Sequence, residues 1–106
     1  MRQVSAAGAT FNVMDRGAGP AVLLVHGFPL DHSMWQAQLD ALSMNNRLIV
    51  PDLRGFGRST VTAGTVTMEQ MADDLAALLD AMGVHQPACL CGLSMGGYVA
   101  LAFWRK

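Results

Sequence analysis

The chain has 106 residues, a formal charge of −1, 52% hydrophobic residues and 14% charged residues. A chain of this length buries about two-thirds of the surface that its unfolded form exposes, so we expect residues 1–106 to form one domain or part of one. The charges are balanced and form no block of one sign, which excludes a nucleic-acid-binding patch or a basic membrane-binding surface. Because a soluble domain usually has about 25% charged residues, the low value predicts that some apolar surface meets another surface.

No segment is typical of a secreted or membrane protein. The first eleven residues lack the apolar stretch of a secretory signal, and the longest aliphatic run, Ala21 to Val25, is too short to span a bilayer. The expected location is therefore cytoplasmic.

Two cysteines, Cys89 and Cys91, lie two positions apart in a predicted strand. This separation is too short for ordinary disulfide geometry, so we predict that both are buried thiols. The alternative is a metal-binding pair, for which further ligands are not evident. We expect no metal and no cofactor.

The first half of the chain predicts strands and one helix. Residues 2–14 form an antiparallel hairpin around a turn, and Ala21 to His26 and Arg47 to Pro51 are short, buried strands. Between those two strands, Ser33 and Gln36 form a capping-box pattern that predicts a helix ending near residues 45–46.

The second half of the chain continues this alternation. Thr67 with Gln70 predicts the start of a helix that ends at Gly83, and Ala88 to Leu93 is a third buried strand. A last helix begins after Ser94. This order predicts an α/β fold: a doubly wound, mostly parallel sheet with an N-terminal antiparallel hairpin and helices on both faces. In such sheets ligands bind at the carboxyl ends of the strands.

One such strand end carries the motif Gly92-Leu93-Ser94-Met95-Gly96. In a strand–turn–helix context this pattern places a serine on a sharp, strained turn, and the flanking glycines leave room for that turn. Ser94 is then a candidate nucleophile, and the start of the following helix offers amide groups to an oxyanion. The alternative is a packed turn that serves only the fold.

A second strand end carries His26-Gly27-Phe28-Pro29. The amides of Phe28 and Met95 could together form an oxyanion hole. His26 itself is more readily explained as a hydrogen-bonded structural residue. The following glycine-rich loop, residues 51–59, contains charges that we expect to brace the loop.

Three segments, VHGFPLDHSMW, IVPDLRGFGRS and CGLSMGGYVAL, resemble in order and spacing the α/β-hydrolase family. The similarity is to its carboxylesterases and 3-oxoadipate enol-lactonases. The resemblance implies hydrolysis of a small carboxylic ester or lactone through an acyl-enzyme on Ser94, with Phe28 and Met95 as oxyanion-hole donors. It also implies an acyl pocket bordered by three aromatic side chains, those of Trp35, Phe56 and Tyr98.

The family order of the catalytic triad is serine, acid, histidine, yet the twelve residues after Ser94 include no Asp, Glu or His. The sequence therefore resembles a truncated α/β-hydrolase core. His26 or His32 could act as a substitute base, whereas His85 belongs at the opposite edge of the sheet. The alternative function is a non-catalytic or barely active, self-associating fragment, a half-domain.

The strand at Ala88 to Leu93 is expected to lack a neighbour on its outer side, where unpaired N–H and C=O groups favour association. We therefore expect a homodimer or higher oligomer that pairs along this strand or exchanges C-terminal helices.

Overall fold

The structure is a computed structural model that describes residues 1–62 and 64–104. Five strands form one sheet in the order β1-β2-β4-β3-β5: β1 Arg2–Ala6, β2 Ala9–Arg16, β3 Ala21–Val25, β4 Arg47–Pro51 and β5 Cys89–Gly92. The helices are α1 Gln36–Ser43, α2 Met68–Ala81 and α3 Met95–Trp104, and a short 3-10 helix, His32–Trp35, precedes α1.

The sheet is mixed, and it confirms the predicted α/β class with an N-terminal antiparallel hairpin. Strands β1, β2 and β4 are antiparallel neighbours, whereas β4, β3 and β5 run parallel. The hairpin is longer than predicted, because β2 continues to Arg16 in order to pair with β4. The three parallel strands end at the same edge, so the loops that follow them are brought together.

Helices cover both faces of the sheet and define two core clusters. On the face of α2 and α3, Leu23, Val25 and Ile49 pack with Leu75 and Val99. On the opposite face, side chains from α1 and the two central strands form a smaller cluster: Leu24, Leu39, Leu48 and Val50. The buried strands are therefore apolar on both sides, as expected of parallel strands between helices.

The helix-capping predictions had different outcomes. The Thr67 side chain accepts a hydrogen bond from the Gln70 amide at the start of α2, which confirms that cap. The Ser33 prediction is wrong: Asp31 is the cap, and its carboxylate accepts the Ser33 amide. The chain enters this region through a 3-10 turn, so the donor lies two residues after the cap rather than three.

The prediction that the two cysteines are buried is also wrong, because both are exposed. Cys89 and Cys91 align with Val22 and Leu24 of β3, so their side chains lie on the α1 face of the sheet. Helix α1 packs against β4 on that face. Within residues 1–62 and 64–104, no helix extends over β5 on this side, and the thiols remain open to solvent.

The described helices are all shorter or more polar than a membrane-spanning segment would be.

Candidate active site

Ser94 lies in the sharp turn that joins β5 to α3. Its backbone has φ = +55°, in the left-handed region that costs most side chains energy. Hydrogen bonds close the turn on both sides, from the Gly96 amide to Leu93 O (2.9 Å) and from the Gly97 amide to Ser94 O (2.9 Å). Ser94 is exposed, and among the described residues its hydroxyl has no hydrogen-bond partner.

The turn can form only because its flanking glycines have no side chains. A Cβ at Gly92 would lie 2.3 Å from Gly96 O, and a Cβ at Gly96 would lie 2.2 Å from Val25 O. Both obstacles are backbone atoms, which cannot rotate away. Gly97 differs, because a Cβ there would meet its nearest atom at 3.6 Å, an ordinary contact. The steric requirement predicted on both sides of Ser94 is therefore present.

The loop after β3 packs directly against this turn. A Cβ at Gly27 would lie 3.5 Å from the Ser94 Cβ and 2.9 Å from Leu93 O. Phe28 follows Gly27, and its amide donates to no acceptor in the part of the chain that the structure describes. The Met95 amide, at the first position of α3, is equally unpaired there. Two unused amide donors therefore flank the neighbourhood of Ser94.

Aromatic rings build one side of this region. The Phe56 ring meets the Phe28 ring edge to face at 5.9 Å and the His26 ring at 5.3 Å. Of the other two residues that the resemblance places at an acyl pocket, Tyr98 is exposed on α3, whereas Trp35 packs against the α1-side core cluster. Phe56, rather than Trp35 or Tyr98, is thus the residue of the three whose ring packs against Phe28 among the described residues.

His26 is fully buried, and both of its ring nitrogens are engaged with the backbone. Its Nε2 accepts the Leu53 amide at 2.9 Å, and its Nδ1 lies 3.1 Å from Gly27 O. Burial lowers the pKa of His26, so the neutral ring is favoured. This arrangement joins the ends of β3 and β4 and leaves no nitrogen free to accept the Ser94 proton.

His32 is held by a buried carboxylate. Its Nδ1 lies 2.7 Å from Asp52 Oδ1, while the Asn12 side chain and the Arg58 amide donate to Asp52 Oδ2. Burial alone would raise the pKa of Asp52, but these hydrogen bonds outweigh it and lower the pKa. A histidine oriented by a carboxylate is the arrangement of a general base, yet no contact joins this ring to the Ser94 hydroxyl among the described residues.

Three side chains at this corner, Asp31, His32 and Asp52, have ligand atoms within 4.8 Å of one another. Both oxygens of Asp52 already have partners, because Asp52 accepts four hydrogen bonds, and Asp31 Oδ1 accepts both the amide and the hydroxyl of Ser33. The cluster is explained as a junction that holds the loops after β3 and β4 together.

Sequence reasoning expected the charges of the loop at residues 51–59 to brace it, but did not identify their partners. Arg54 makes two hydrogen bonds of 2.8 Å with the Asp74 carboxylate on α2 and a third, of 3.0 Å, with Ala7 O. Both charged side chains are buried. The signal that could have pointed to this pair is Asp74, a charged residue on the apolar face of a predicted helix.

The sheet order and the strained serine turn between β5 and α3 are those of a hydrolase-type α/β fold, and the unused amides beside the turn make it the candidate active site. A family model described as alpha/beta hydrolase fold matches residues 20–106, and the chain belongs to this family.

Relatives with assigned activities agree with this membership. The chain is 38% identical over 96 residues to 3-oxoadipate enol-lactonase 1 of Acinetobacter baylyi, covering 89% of this chain and 35% of that protein. It is 41% identical over 92 residues to an epoxide hydrolase of Caballeronia sordidicola, covering 84% and 28%. A thermophilic esterase from Thermogutta terrifontis superimposes with a TM-score of 0.93 at 51% identity, covering 99% of this chain and 40% of that one. The chain thus spans about a third of the length of these curated relatives.

Proposed function

We propose that this chain carries the nucleophile and oxyanion hole of a serine hydrolase that acts on carboxylic esters or lactones. The observation that carries the proposal is the exposed Ser94 in left-handed backbone, with the unpaired amides of Phe28 and Met95 nearby. The substrate is a small, uncharged acyl compound, since exposed hydrophobic side chains, those of Phe28, Leu93 and Tyr98, flank Ser94.

The chemistry follows the usual course of acyl transfer. The Ser94 oxygen attacks the carbonyl carbon and gives up its proton to a base. The carbonyl oxygen becomes an oxyanion that the two amides stabilise, and the alcohol then leaves with a proton. Water next attacks the acyl-serine ester, and the acid is released with regeneration of the serine. A lactone follows the same steps, except that its alcohol stays attached to the acyl group.

The identity of the nucleophile favours esters over epoxides, although epoxide hydrolases occur among the relatives. A serine oxygen that opens an epoxide forms an ether, which water does not cleave under mild conditions, so the enzyme would remain alkylated. Attack on an ester instead forms an acyl-serine, which water does cleave. Ser94 therefore supports turnover of acyl substrates.

Among the described residues no base contacts Ser94, which favours a second candidate, a barely active or non-catalytic half-domain. Neither His26 nor His32 contacts the hydroxyl within the described residues. In serine proteases, binding and the oxyanion hole alone retain about 10³ to 10⁴-fold catalysis over water. A chain with no base should accelerate ester cleavage by about that factor. A turnover rate typical of enzymes, about 1 s⁻¹ or more, requires a base.

The test is cleavage of p-nitrophenyl acetate, together with mass spectrometry after treatment with a serine-reactive fluorophosphonate. The exposed Cys89 and Cys91 can also cleave activated esters, so both are first replaced by serine. In that background Ser94→Ala should abolish cleavage and labelling, while the exposed Ser5→Ala should change neither. Cleavage and labelling that persist at full level in Ser94→Ala would overturn the proposal.

The cytoplasmic location expected from the sequence stays a prediction.

A further inference from the structure

The amide of Phe28 lies in a short turn that directly follows β3. This turn, residues 27–30, is closed by a hydrogen bond of 2.8 Å from the Leu30 amide to Gly27 O, and we call it the Phe28 turn. Because the turn is closed on itself, it moves as a unit. The direction of the Phe28 N–H is therefore set by the contacts that hold the chain on either side of the turn.

Two neighbouring residues of the loop after β4 anchor the Phe28 turn at both ends. Before the turn, the Leu53 amide donates to His26 Nε2 at 2.9 Å. After the turn, Asp52 Oδ1 accepts the His32 amide at 2.8 Å and lies 2.7 Å from His32 Nδ1. One loop thus fixes both ends of the segment that carries the candidate oxyanion donor.

Asp52 is a rigid anchor. Its side chain is 1% exposed, and its second oxygen, Oδ2, accepts the Asn12 side chain at 2.9 Å and the Arg58 amide at 3.0 Å. The backbone of Gly57 packs against the carboxyl group so closely that a Cβ there would lie 2.3 Å from the carboxyl carbon. A carboxylate that is bonded through both oxygens and packed in this way has no room to rotate.

The contact between Asp52 and the His32 ring has a defined donor. Burial alone would raise the pKa of Asp52, but its hydrogen bonds lower the pKa, so the carboxylate is ionised at neutral pH and can only accept. The hydrogen must therefore be carried by His32 Nδ1.

We propose that His32 is a positioning residue for the oxyanion hole: its Nδ1–H bond to Asp52 fixes the Phe28 turn, which aims the Phe28 amide at the substrate's carbonyl oxygen. The inference rests on the proposed function, since it requires Ser94 to be the nucleophile. A donor that is already in place stabilises an oxyanion without rearrangement as the charge develops. Without the ring contact, only the His32 amide would hold the end of the turn, and part of that stabilisation would be lost.

This role differs from that of the substitute base that the sequence suggested for His32. A base needs a ring nitrogen that accepts the Ser94 proton, whereas a positioning residue needs only a donor at the place of Nδ1. The side-chain amide of asparagine offers an N–H donor at about that place and has no basic nitrogen. His32→Asn should therefore preserve the positioning role and abolish the role of a base.

The experiment measures how fast a fluorophosphonate labels Ser94 as its concentration is raised to saturation. The Ser94 oxygen displaces fluoride from phosphorus and loses its proton to solvent, while the P=O oxygen occupies the oxyanion hole. His32→Ala, and His32→Leu, which also fills the volume, should lower the maximal labelling rate constant at least about tenfold and change the half-saturating concentration less than about twofold. His32→Asn should stay within about threefold of the wild-type rate constant.

Ser59→Ala is the matched structural control. The Ser59 hydroxyl donates to Asp52 O at 2.6 Å and accepts the Asn12 amide at 2.9 Å, so its loss weakens the same junction without removing a contact of the Phe28 turn. This variant should unfold at lower urea concentration and label at the wild-type rate. The NMR order parameter of the Phe28 amide, about 0.85 for rigid backbone, should decrease in His32→Ala and not in Ser59→Ala. Circular dichroism checks that every variant keeps the fold.

The outcomes separate this inference from the proposed function. If wild-type Ser94 is labelled and His32→Ala is labelled equally fast, or its Phe28 order parameter is unchanged, the inference is overturned and the proposed function stands. Equal losses in His32→Asn and His32→Ala would make His32 a base and overturn the inference as well. A wild-type Ser94 that takes no label would overturn the proposed function and this inference with it.

Discussion

Gly27 and Ser94 lie so close that a Cβ atom on Gly27 would stand 3.5 Å from the Cβ of Ser94. The two residues are 67 positions apart in the chain, and they meet because β3 and β5 are parallel neighbours whose carboxyl ends share one edge. This contact places the loop that carries the Phe28 amide beside the candidate nucleophile. The local geometry of both loops should therefore control activity as well as stability.

The glycines after Ser94 should differ sharply in their tolerance of a methyl group. Gly96→Ala drives a Cβ into Val25 O and His26 O, so it should lower the free energy of unfolding by at least about 2 kcal/mol. Gly97→Ala has room and improves helix propensity, so it should be neutral or stabilising by up to about 1 kcal/mol. Urea unfolding measures both, and equal effects would contradict the turn geometry.

Ser94 should be a site where stability and activity oppose one another. Ser94→Gly removes the side chain from left-handed backbone and should raise the free energy of unfolding by about 0.5 to 1 kcal/mol, even after the entropy of glycine is counted. Ser94→Ala keeps its Cβ in the same strained position and should bring no such increase. Both variants should lose ester cleavage, and thermal unfolding distinguishes them. A stabilised Ser94→Ala would argue against backbone strain.

The buried ion pair between Arg54 and Asp74 should contribute strongly to stability. Asp74→Asn leaves a buried guanidinium without its counter-ion and should cost about 3 to 5 kcal/mol. The matched control is Asp40→Asn, because Asp40 pairs with Arg16 on the exposed surface, where a salt bridge contributes little. Chemical denaturation compares the two. A small effect at Asp74 would mean that water reaches the pair.

The buried His26 should make the fold sensitive to acid well above the range of the carboxylates. Its pKa in the folded chain lies below the ordinary value of 6.5, so below pH 6.5 the unfolded chain binds a proton that the folded chain does not. The contribution of His26 to the free energy of unfolding is therefore complete above pH 6.5, and it decreases as the pH falls from there toward the pKa of the folded chain.

The measurement is urea unfolding between pH 8 and pH 5, with NMR titration of the ring. His26→Gln should flatten this dependence on pH while lowering stability overall, whereas replacement of the exposed His85 by Gln should leave it unchanged. A His26 ring that titrates at or above its ordinary pKa would contradict the assignment.

The carboxylate of Asp52, with its lowered pKa, adds a separate loss of stability only below about pH 4, its ordinary range.

The sequence by itself determined the features that depend on neighbouring residues. The glycines around Ser94, the Thr67 cap and the apolar strands are local patterns, because each reflects the conformation of a few consecutive residues. The sheet with its hairpin, and the position of Ser94 between a strand and a helix, follow from those patterns.

Only the tertiary structure decided the features that depend on distant contacts. Whether Cys89 is buried depends on whether a helix covers that end of the sheet, and the partner of His32 is Asp52, which lies 20 residues away. The choice of Asp31 as the cap follows from the 3-10 turn that carries the chain into α1. Burial and side-chain pairing are set by packing between elements, and a pattern within one element does not encode them.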